Sequence, residues 1–440
     1  MEIRHLGGER CVTGSCHLVR AGSAAVLVDC GAVQGDDTAL AMADWPVRPE
    51  DVDYLLLTHA HVDHCGRVPE LVQAGFEGEI LCTHDTRALL GPMLADALGF
   101  TDWSEAEQAG LLARIDETAW GFEYGRFFDL EGGVRFRLGQ AGHILGSCFV
   151  RIEEASNRGG PSSVVFSGDL GPTDTPILPD PDVPEPCDLL VLESTYGDRR
   201  HAERGDARIE RLGEVLSGAI RDRGKVYIPA FSLGRTQELI YEMDRLFSEP
   251  RWRERFSGLA SGRRPPVFLD SPLALEITRI YRERTAGWDR EARELLADGD
   301  HPVDFEGLYA VRTHRDHQKL LALDEPAVIL AGSGMCTGGR IVNHLRQGIE
   351  DPRNDVLFVG YQASGTPGRD LVRYGDRAGG WVELDGERLE IRARVHVLSG
   401  YSAHADRDEL VRWARAARPG RIQLVHGEEA ARRGLEEALA

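Results

Sequence analysis

The sequence predicts an α/β protein in which a second, smaller α/β domain is inserted into the first. Short apolar runs alternate with segments of helical periodicity along most of the chain, which is the rhythm of sheets flanked by helices. The middle third has strands and helices of its own, and candidate site histidines lie both before and after it. At 440 residues the chain is also longer than most single domains. We therefore expect a first domain formed by 1–203 and 381–440, with an inserted domain at 204–380.

Outside the inserted domain, five apolar runs each end on an acid or a histidine and predict buried strands. These runs are 25–29, 54–59, 164–169, 189–193 and 422–426. We expect them to share one edge of a sheet, so that their polar ends converge there, as ligand sites in α/β sheets do. Helices are predicted at 84–98, 103–117, 204–222, 234–248, 404–417 and 427–439.

The inserted domain is predicted to be a small parallel sheet with helices between its strands. Its strands are expected at 225–229, 267–269, 327–330 and 356–359. The segment 381–398 that follows predicts a hairpin turning at Asp385–Gly386, because this dipeptide favours two-residue turns.

Composition restricts the cellular compartment and the kinds of binding partner that we expect. No apolar run approaches the roughly 20 residues of a membrane span, and the N-terminus lacks the apolar segment of a signal peptide. The eight cysteines are scattered, which favours a reducing compartment. A cytoplasmic protein without a membrane partner is expected. The net charge of −21 argues against a polyanionic partner unless basic residues are grouped locally, and with only two lysines such contacts would fall to arginine.

The most informative segment carries His59, His61, Asp63 and His64 within six positions. This spacing fits neither one face of a helix nor one face of a strand, so it predicts a loop folded around a ligand. One ion could not take all four side chains from so short a segment, so we expect a pair of metal ions. Imidazole suits zinc, iron, copper or nickel, and the added carboxylate is compatible with zinc.

Three distant residues are candidates to complete two ligand sets. His143 lies in a Gly-flanked turn, Asp169 follows a buried strand between glycines, and His426 ends the last strand. Two divalent ions roughly 3.5–4 Å apart, bridged by a water and a carboxylate, generate hydroxide at neutral pH and clamp a phosphoryl oxygen. The predicted chemistry is therefore displacement at phosphorus, with Asp63 in both the ligand set and the catalytic set.

Such a displacement needs a proton for the departing oxygen. His404 lies in a turn that opens a predicted helix and is the candidate general acid. Glu193 can orient His404 and raise its pKa by favouring imidazolium. Asp29 is expected to orient a ligand histidine by a hydrogen bond.

Two turns of the inserted domain are candidate sites for nucleotide phosphates. Each follows an apolar strand; the turn at 331–340 is rich in glycine and ends in arginine, and the turn in 229–241 leads into a helix with Arg235 in its first turn. Backbone N–H groups at such turns and helix N-termini bind anions. The candidate residues are Ser232, Arg235, Ser333, Gly334, Met335, Gly339 and Arg340.

In the order of these motifs the chain resembles the metallo-β-lactamase superfamily and, within it, the β-CASP nucleases. The likeness is closest to short bacterial enzymes similar to the cleavage-and-polyadenylation specificity factor endonuclease. The matching positions are Asp29, 59–64, His143 and Asp169 for the superfamily, and ESTYGD at 193–198, His404 in YSAHAD and His426 in LVHGE for the β-CASP motifs. LDSPLA at 269–274 and GSGMCTGGR at 332–340 match the inserted domain's own signatures.

The resemblance implies an αββα sandwich interrupted by a β-CASP domain, with two zinc ions that manganese can replace. It assigns His59, His61 and His143 to one zinc. It assigns Asp63, His64 and His426 to the other, with Asp169 bridging the two ions.

The resemblance also implies a substrate. RNA-acting members carry histidine at the last motif, whereas DNA-processing members generally carry valine, so His426 favours single-stranded RNA cut to 3′-hydroxyl and 5′-phosphate ends. The pattern leaves open whether cleavage is internal, 5′-exonucleolytic or both. Family habit predicts a homodimer.

Three other functions compete with that of a ribonuclease. A hydrolase of DNA or of a small ester or thioester could use the same scaffold, but the small-molecule enzymes need neither the inserted domain nor His404. Flavodiiron proteins normally have an acidic residue at the position of His61. An RNA-binding pseudoenzyme subunit predicts lost ligands, and the sequence retains all seven.

Overall fold

The structure is a computed structural model that describes residues 1–154, 163–201, 205–256 and 264–440. It contains two compact units. The first unit consists of Met1–Arg200 and His404–Ala440, and the second unit consists of His201–Ala403. The predicted boundary at 203/204 falls outside the described residues, and the second boundary lies at 403/404 rather than at 380/381.

The first unit contains two six-stranded sheets. The first sheet consists, in spatial order, of β1 (Glu2–Gly7), β2 (Cys16–Ala21), β3 (Ala24–Val28), β4 (Tyr54–Leu56), β5 (Glu79–Thr83) and β6 (Ala119–Phe122). The second sheet consists of β20 (Arg421–Val425), β11 (Leu189–Glu193), β10 (Ser163–Phe166), β9 (Cys148–Glu154), β8 (Val134–Gln140) and β7 (Phe127–Leu130).

Residue alternation along the strands explains why both faces of the first sheet are covered. Val26 and Val28 of β3 pack into the core between the two sheets, whereas Ala25 and Leu27 pack into a core on the opposite face. A third core lies on the outer face of the second sheet. The helices of this unit are α1 (Val62–Cys65), α2 (Val68–Gln73), α3 (His84–Leu98), α4 (Glu105–Thr118), α13 (Arg407–Ala416) and α14 (Glu429–Leu439). The four layers confirm the predicted αββα sandwich.

The five strands expected to share one sheet edge in fact belong to two sheets. β3 and β4 pair in parallel in the first sheet, and β10, β11 and β20 pair in parallel in the second. Apolar runs identify buried strands but carry no information on which sheet each one joins. The polar residues that follow them nevertheless meet, because His64 after β4 lies 3.1 Å from His426 after β20, measured between the Nε2 atoms.

The second unit is built on a six-stranded sheet whose pairings are all parallel. Its spatial order is β14 (Leu308–Ala310), β13 (Val267–Leu269), β15 (Ala327–Ala331), β12 (Lys225–Pro229), β16 (Asp355–Phe358) and β19 (Arg394–Val397). Its helices are α5 (Asp206–Arg221), α6 (Arg235–Ser248), α7 (Pro250–Phe256), α8 (Pro272–Glu283), α9 (Arg290–Ala297), α10 (His314–Leu321), α11 (Arg340–Gly348) and α12 (Pro367–Tyr374). The predicted parallel sheet flanked by helices is confirmed.

The hairpin predicted over 381–398 has its turn at Asp385–Gly386 as expected but is shorter, formed by β17 (Trp381–Leu384) and β18 (Glu387–Glu390). Both turn residues have positive φ angles, 50° and 76°, as a type I′ turn requires. The hairpin packs its leucines into the core of the second unit, and β19 extends that unit's sheet. These contacts place 381–403 in the second unit.

Among the described residues, no helix has both the length and the apolar character that crossing a membrane requires.

Candidate metal centre

The residues of the 59–64 segment come from two kinds of local structure. His59 and His61 lie in the loop after β4, whereas Asp63 and His64 lie on α1, a single helical turn. The N–H groups of His64 and Cys65 both donate to the carbonyl of His61, which starts this turn. The segment is thus a loop followed by one turn of helix, rather than the continuous loop that we predicted.

The structure brings His59, His61 and His143 together with Asp169 in one group. Nδ1 of His61 lies 3.2 Å from Nε2 of His59 and 3.0 Å from Nε2 of His143. Oδ2 of Asp169 lies 3.6 Å from His59 and 3.5 Å from His143, measured to the same Nε2 atoms. Four donor atoms therefore surround one small space.

A second group contains Asp63, His64 and His426, again with Asp169. Nε2 of His426 lies 3.1 Å from Nε2 of His64 and 3.6 Å from Oδ2 of Asp63. Oδ1 of Asp169 lies 3.2 Å from Nε2 of His64 and 3.5 Å from that of His426. Each oxygen of Asp169 faces a different group, and all seven predicted ligands are accounted for.

The separations between the donor atoms of each group match those expected around a bound divalent cation. Ligands about 2.0–2.1 Å from a tetrahedral zinc lie about 3.3 Å apart, close to the N···N and N···O separations here. Within the described part of the chain, Oδ1 of Asp169 is buried and has no hydrogen-bond partner. Such a carboxylate oxygen is costly to bury unless a cation or a water completes its surroundings.

Burial and charge prepare the donors for this role. His59 is buried, and its burial together with the neighbouring His64 holds its pKa well below the usual value, so its ring is neutral and can bind a metal. Burial alone would raise the pKa of Asp169, but His426 and His64 hold it well below its usual range. Asp169 is therefore an anion.

Asp29 fixes the orientation of His64. Its Oδ2 lies 2.7 Å from Nδ1 of His64, so the imidazole donates from Nδ1 and presents Nε2 to the second group. Its Oδ1 accepts from the backbone N–H of Thr58 at 2.8 Å, and the Thr58 hydroxyl donates to both carboxylate oxygens. The structure places Asp29 where the sequence analysis expected it, beside a histidine of the cluster.

Thr195 contacts His426 in the way that Asp29 contacts His64. Its hydroxyl lies 3.1 Å from Nδ1 of His426, which directs Nε2 toward the second group. Sequence reasoning missed both Thr58 and Thr195. The one available signal was their position in the motifs: Thr58 directly precedes His59, and Thr195 lies two residues after Glu193.

His404 and Glu193 form a pair beside the first group. Nδ1 of His404 lies 3.2 and 3.3 Å from the two carboxylate oxygens of Glu193. Glu193 is itself held in place, because its Oε1 accepts from the backbone N–H of Leu170 at 2.7 Å. Burial lowers the pKa of His404, but Glu193 and Asp169 more than offset this and raise it to about 8. The pair thus favours imidazolium, with Nε2 as the nitrogen that can donate a proton.

The predicted phosphate-binding residues lie in the second unit. The two arginines among them, Arg235 and Arg340, each form an ion pair with an acidic side chain. The Arg235 side chain is buried against Glu238, one helical turn further along α6. Nη1 of Arg340 donates to Oδ1 of Asp270 at 2.7 Å. Sequence spacing did not reveal these two acids, and phosphate binding by either arginine stays a prediction.

The other residues of that set lie in two turns. Ser232 shares a hydrogen bond of 3.2 Å with Ser271. The Ser333 hydroxyl accepts from the N–H of Thr337, and the carbonyls of Gly334 and Met335 accept from Gln362 and Gly368. Gly339 has a φ of 74°, and a side chain there would collide with the Gly332 carbonyl.

Fold and site together define a metal-dependent hydrolase of the metallo-β-lactamase type. Family models match along the chain: the metallo-β-lactamase superfamily at 10–209, the Beta-Casp domain at 236–371 and the Zn-dependent metallo-hydrolase RNA specificity domain at 388–440. The chain belongs to the β-CASP family of this superfamily.

Among its relatives, Ribonuclease TTHA0252 of Thermus thermophilus is 37% identical over 100% of this chain and 96% of its own length. Transcription termination factor FttA of Methanocaldococcus jannaschii is 32% identical over 98% of this chain and 67% of its own length. The crystal structure of a protein of unknown function from Enterococcus faecalis shares the fold, with a TM-score of 0.54 at 10% identity over 97% of this chain and 93% of that one.

Proposed function

We propose that this protein is a zinc-dependent ribonuclease that hydrolyses phosphodiester bonds of single-stranded RNA. One observation carries the proposal: the two oxygens of Asp169 face two separate histidine-containing groups, with the His404–Glu193 pair alongside. The match of 388–440 to an RNA specificity domain, the ribonuclease relative and the histidine at position 426 support RNA as the substrate.

The proposed cation sites follow from the two groups. His59, His61 and His143 would hold one zinc, and Asp63, His64 and His426 the other, with Asp169 shared. When bound, such a pair supplies a nucleophile at neutral pH and positive charge for a phosphoryl oxygen. His61 and Asp63 are the partly exposed members of the two groups, so each site has a side open to substrate.

The chain's own groups would then act on the departing oxygen. Hydrolysis forms a bond between a water oxygen and phosphorus and breaks the bond from phosphorus to the 3′ oxygen. Glu193 holds Nδ1 of His404, and Nε2 of His404 gives its proton to the 3′ oxygen as it leaves. The products are a 5′-phosphate and a 3′-hydroxyl.

The test compares internally labelled RNAs of one sequence in three forms, linear with a 5′-phosphate, linear with a 5′-triphosphate, and circular, together with single-stranded DNA of the same sequence. Cleavage of circular RNA isolates endonuclease activity, and preference for the 5′-phosphate identifies a 5′ exonuclease. We expect RNA to be cut with zinc or manganese, with an Asp169→Asn variant as the inactive control. Equal cleavage of DNA and RNA would refute the substrate, and sedimentation of the same preparation tests the expected homodimer.

A further inference from the structure

The second unit contains a buried polar cluster, here called the Asp270 cluster, formed by Asp270, His317, Arg340 and His344. Oδ2 of Asp270 lies 2.6 Å from Nδ1 of His317 and 2.7 Å from Nε2 of His344. Oδ1 accepts from Nη1 of Arg340 at 2.7 Å. Asp270, His317 and His344 are almost completely buried. A charged group of this kind is retained in a core only where its partners complete it.

The Asp270 cluster is complete without a metal ion. Both carboxylate oxygens accept short hydrogen bonds, and the guanidinium of Arg340 already supplies the positive charge. Burial alone would raise the pKa of Asp270, but hydrogen bonds from His344, Arg340 and His317 keep it below the usual value. The cluster is therefore an ion pair with two supporting imidazoles.

The cluster fixes the start of α11. Arg340 is the first residue of this helix and His344 follows four positions later, so both lie on one helical face and both reach Asp270. Nη1 of Arg340 also donates to the carbonyl of Val311 at 3.0 Å, directly after β14. The first turn of α11 is thus tied to the carboxyl ends of β13 and β14.

That turn closes the glycine-rich loop at 332–339. The N–H of Ile341 donates to the carbonyl of Gly332 at 3.1 Å, so the two ends of the loop meet at the first turn of α11. Ser271, the neighbour of Asp270, shares a hydrogen bond with Ser232. Both hydroxyls lie within 3.7 Å of the position that a Cβ on Gly332 would occupy. Asp270 therefore lies beside the residues that join α11, the loop and the two serines.

We propose that Asp270 is a positioning residue for RNA binding, which holds Arg340 so that the 332–339 loop and the hydroxyls of Ser232 and Ser271 are preformed for a phosphate. The inference rests on the proposed ribonuclease function. It assigns Arg340 an indirect role, because the guanidinium acts on the loop through Asp270 and Val311. Preforming a binding loop lowers the entropic cost of ordering it in the complex.

The experiment compares Asp270→Asn with a matched control, Asp355→Asn. Asp355 is also a buried carboxylate held by a histidine and an arginine, 2.7 Å from both His396 and Arg394. It lies at the first residue of β16, the opposite end of the parallel sheet from the loop. We expect Asp270→Asn to raise KM for RNA by about tenfold to a hundredfold with little change in kcat. The control should leave KM unchanged.

A small diester separates positioning from damage to the metal centre. Hydrolysis of bis(p-nitrophenyl) phosphate needs the metal centre but no RNA-binding loop, so Asp270→Asn should hydrolyse it at the wild-type rate with wild-type metal content. Should Asp270→Asn not fold, His344→Gln replaces it, with a smaller expected rise in KM. Unchanged KM for RNA in the folded variants, or an equal rise in Asp355→Asn, would overturn the proposal.

Salt dependence distinguishes an indirect from a direct role of Arg340. A side chain that contacts an RNA phosphate contributes about 0.7 to the slope of log affinity against log salt. We expect Arg340→Gln to raise KM for RNA without changing that slope. A slope that is smaller by about 0.7 in Arg340→Gln would mean that Arg340 contacts a phosphate directly. Tighter RNA binding by Asp270→Asn would mean the same, and either result refutes the inference. Wild-type protein that hydrolyses the small diester but not RNA would instead refute the ribonuclease function, and the Asp270 proposal with it.

Discussion

Asp169 and Asp270 are two buried aspartates that each follow a strand and each gather histidines, yet their surroundings differ. Asp169 follows β10 in the first unit, and Asp270 follows β13 in the second. The Nε2 atoms of four histidines lie 3.2–3.6 Å from the oxygens of Asp169, and its Oδ1 accepts no hydrogen bond from the described residues. Asp270 accepts bonds of 2.6–2.7 Å on both oxygens, one from an arginine.

The difference shows that the same residue types can build two kinds of site. The ion-pair partners of Asp169 among the described residues are imidazoles, and the proposed cations would add a permanent positive charge. Around Asp270 the guanidinium of Arg340 provides that charge. The two sites therefore differ at Oδ1 of the aspartate. In the candidate metal site this oxygen has no hydrogen-bond donor among the described residues, and in the structural ion pair it accepts from an arginine.

The largest expected effect comes from removing the shared carboxylate. Asp169→Asn should lose most bound zinc and lower RNA turnover by at least about ten-thousandfold, because both groups lose a charged ligand. Asp270→Asn, the matched variant of the second unit, should keep the wild-type metal content. Metal analysis of the two purified proteins, with circular dichroism to verify folding, checks the contrast. Equal zinc loss in both variants would mean that the clusters do not differ in this way.

The next effect is expected from His404→Ala, which should retain the metal and lower turnover by about a hundredfold to ten-thousandfold. A substrate with sulfur in place of the scissile 3′ oxygen tests the reason. A thiolate leaves without a proton, so His404→Ala and wild-type protein should cleave it at similar rates. A variant that stays equally impaired on the sulfur substrate would show that His404 acts in some other way.

These contrasts also show what the sequence could predict. His59, His61, Asp63 and His64 are close in the chain, and Asp169 and His426 follow predicted strands, so these residues could be singled out from the sequence. Their division into two groups was predicted only from the family resemblance. The acidic partners of the two arginines were not predictable from the sequence, because Glu238 lies on the buried side of α6 and Asp270 is far from Arg340 in the chain.

The boundary at 403/404 also depends on a long-range contact that the sequence did not reveal. An extended segment such as 394–397 can join any sheet whose edge accepts it, and here it pairs with β16 of the second unit. The hairpin itself was predictable from Asp385–Gly386, because the positive φ angles of such a turn favour this dipeptide. Local turn chemistry was readable from the sequence, whereas sheet membership was not.

A smaller effect, on pH dependence, should follow from Glu193→Gln. Burial lowers the pKa of His404, and Glu193 and Asp169 raise it to about 8. The protonated form is the proton donor, so turnover should decline as the pH rises through this pKa. Removing the charge of Glu193 lowers the pKa, so the decline should begin at lower pH, which a profile of kcat against pH would reveal. A decline at unchanged pH would assign that limb to another group.

The smallest expected effect concerns the stability of the second unit and the histidines of its cluster. Burial holds the pKa of His344 below its usual value of 6.5, although Asp270 opposes this. Below about pH 6.5 the unfolded chain therefore takes up a proton more readily than the folded one, and this contribution to stability is lost as the pH falls further. His344→Gln should show a weaker dependence of the unfolding midpoint on pH between about 5 and 7 than wild-type protein. Added zinc should stabilise both proteins equally, because both oxygens of Asp270 already accept hydrogen bonds and Arg340 supplies the positive charge. A greater zinc stabilisation of wild-type protein would instead place a metal ion in the Asp270 cluster.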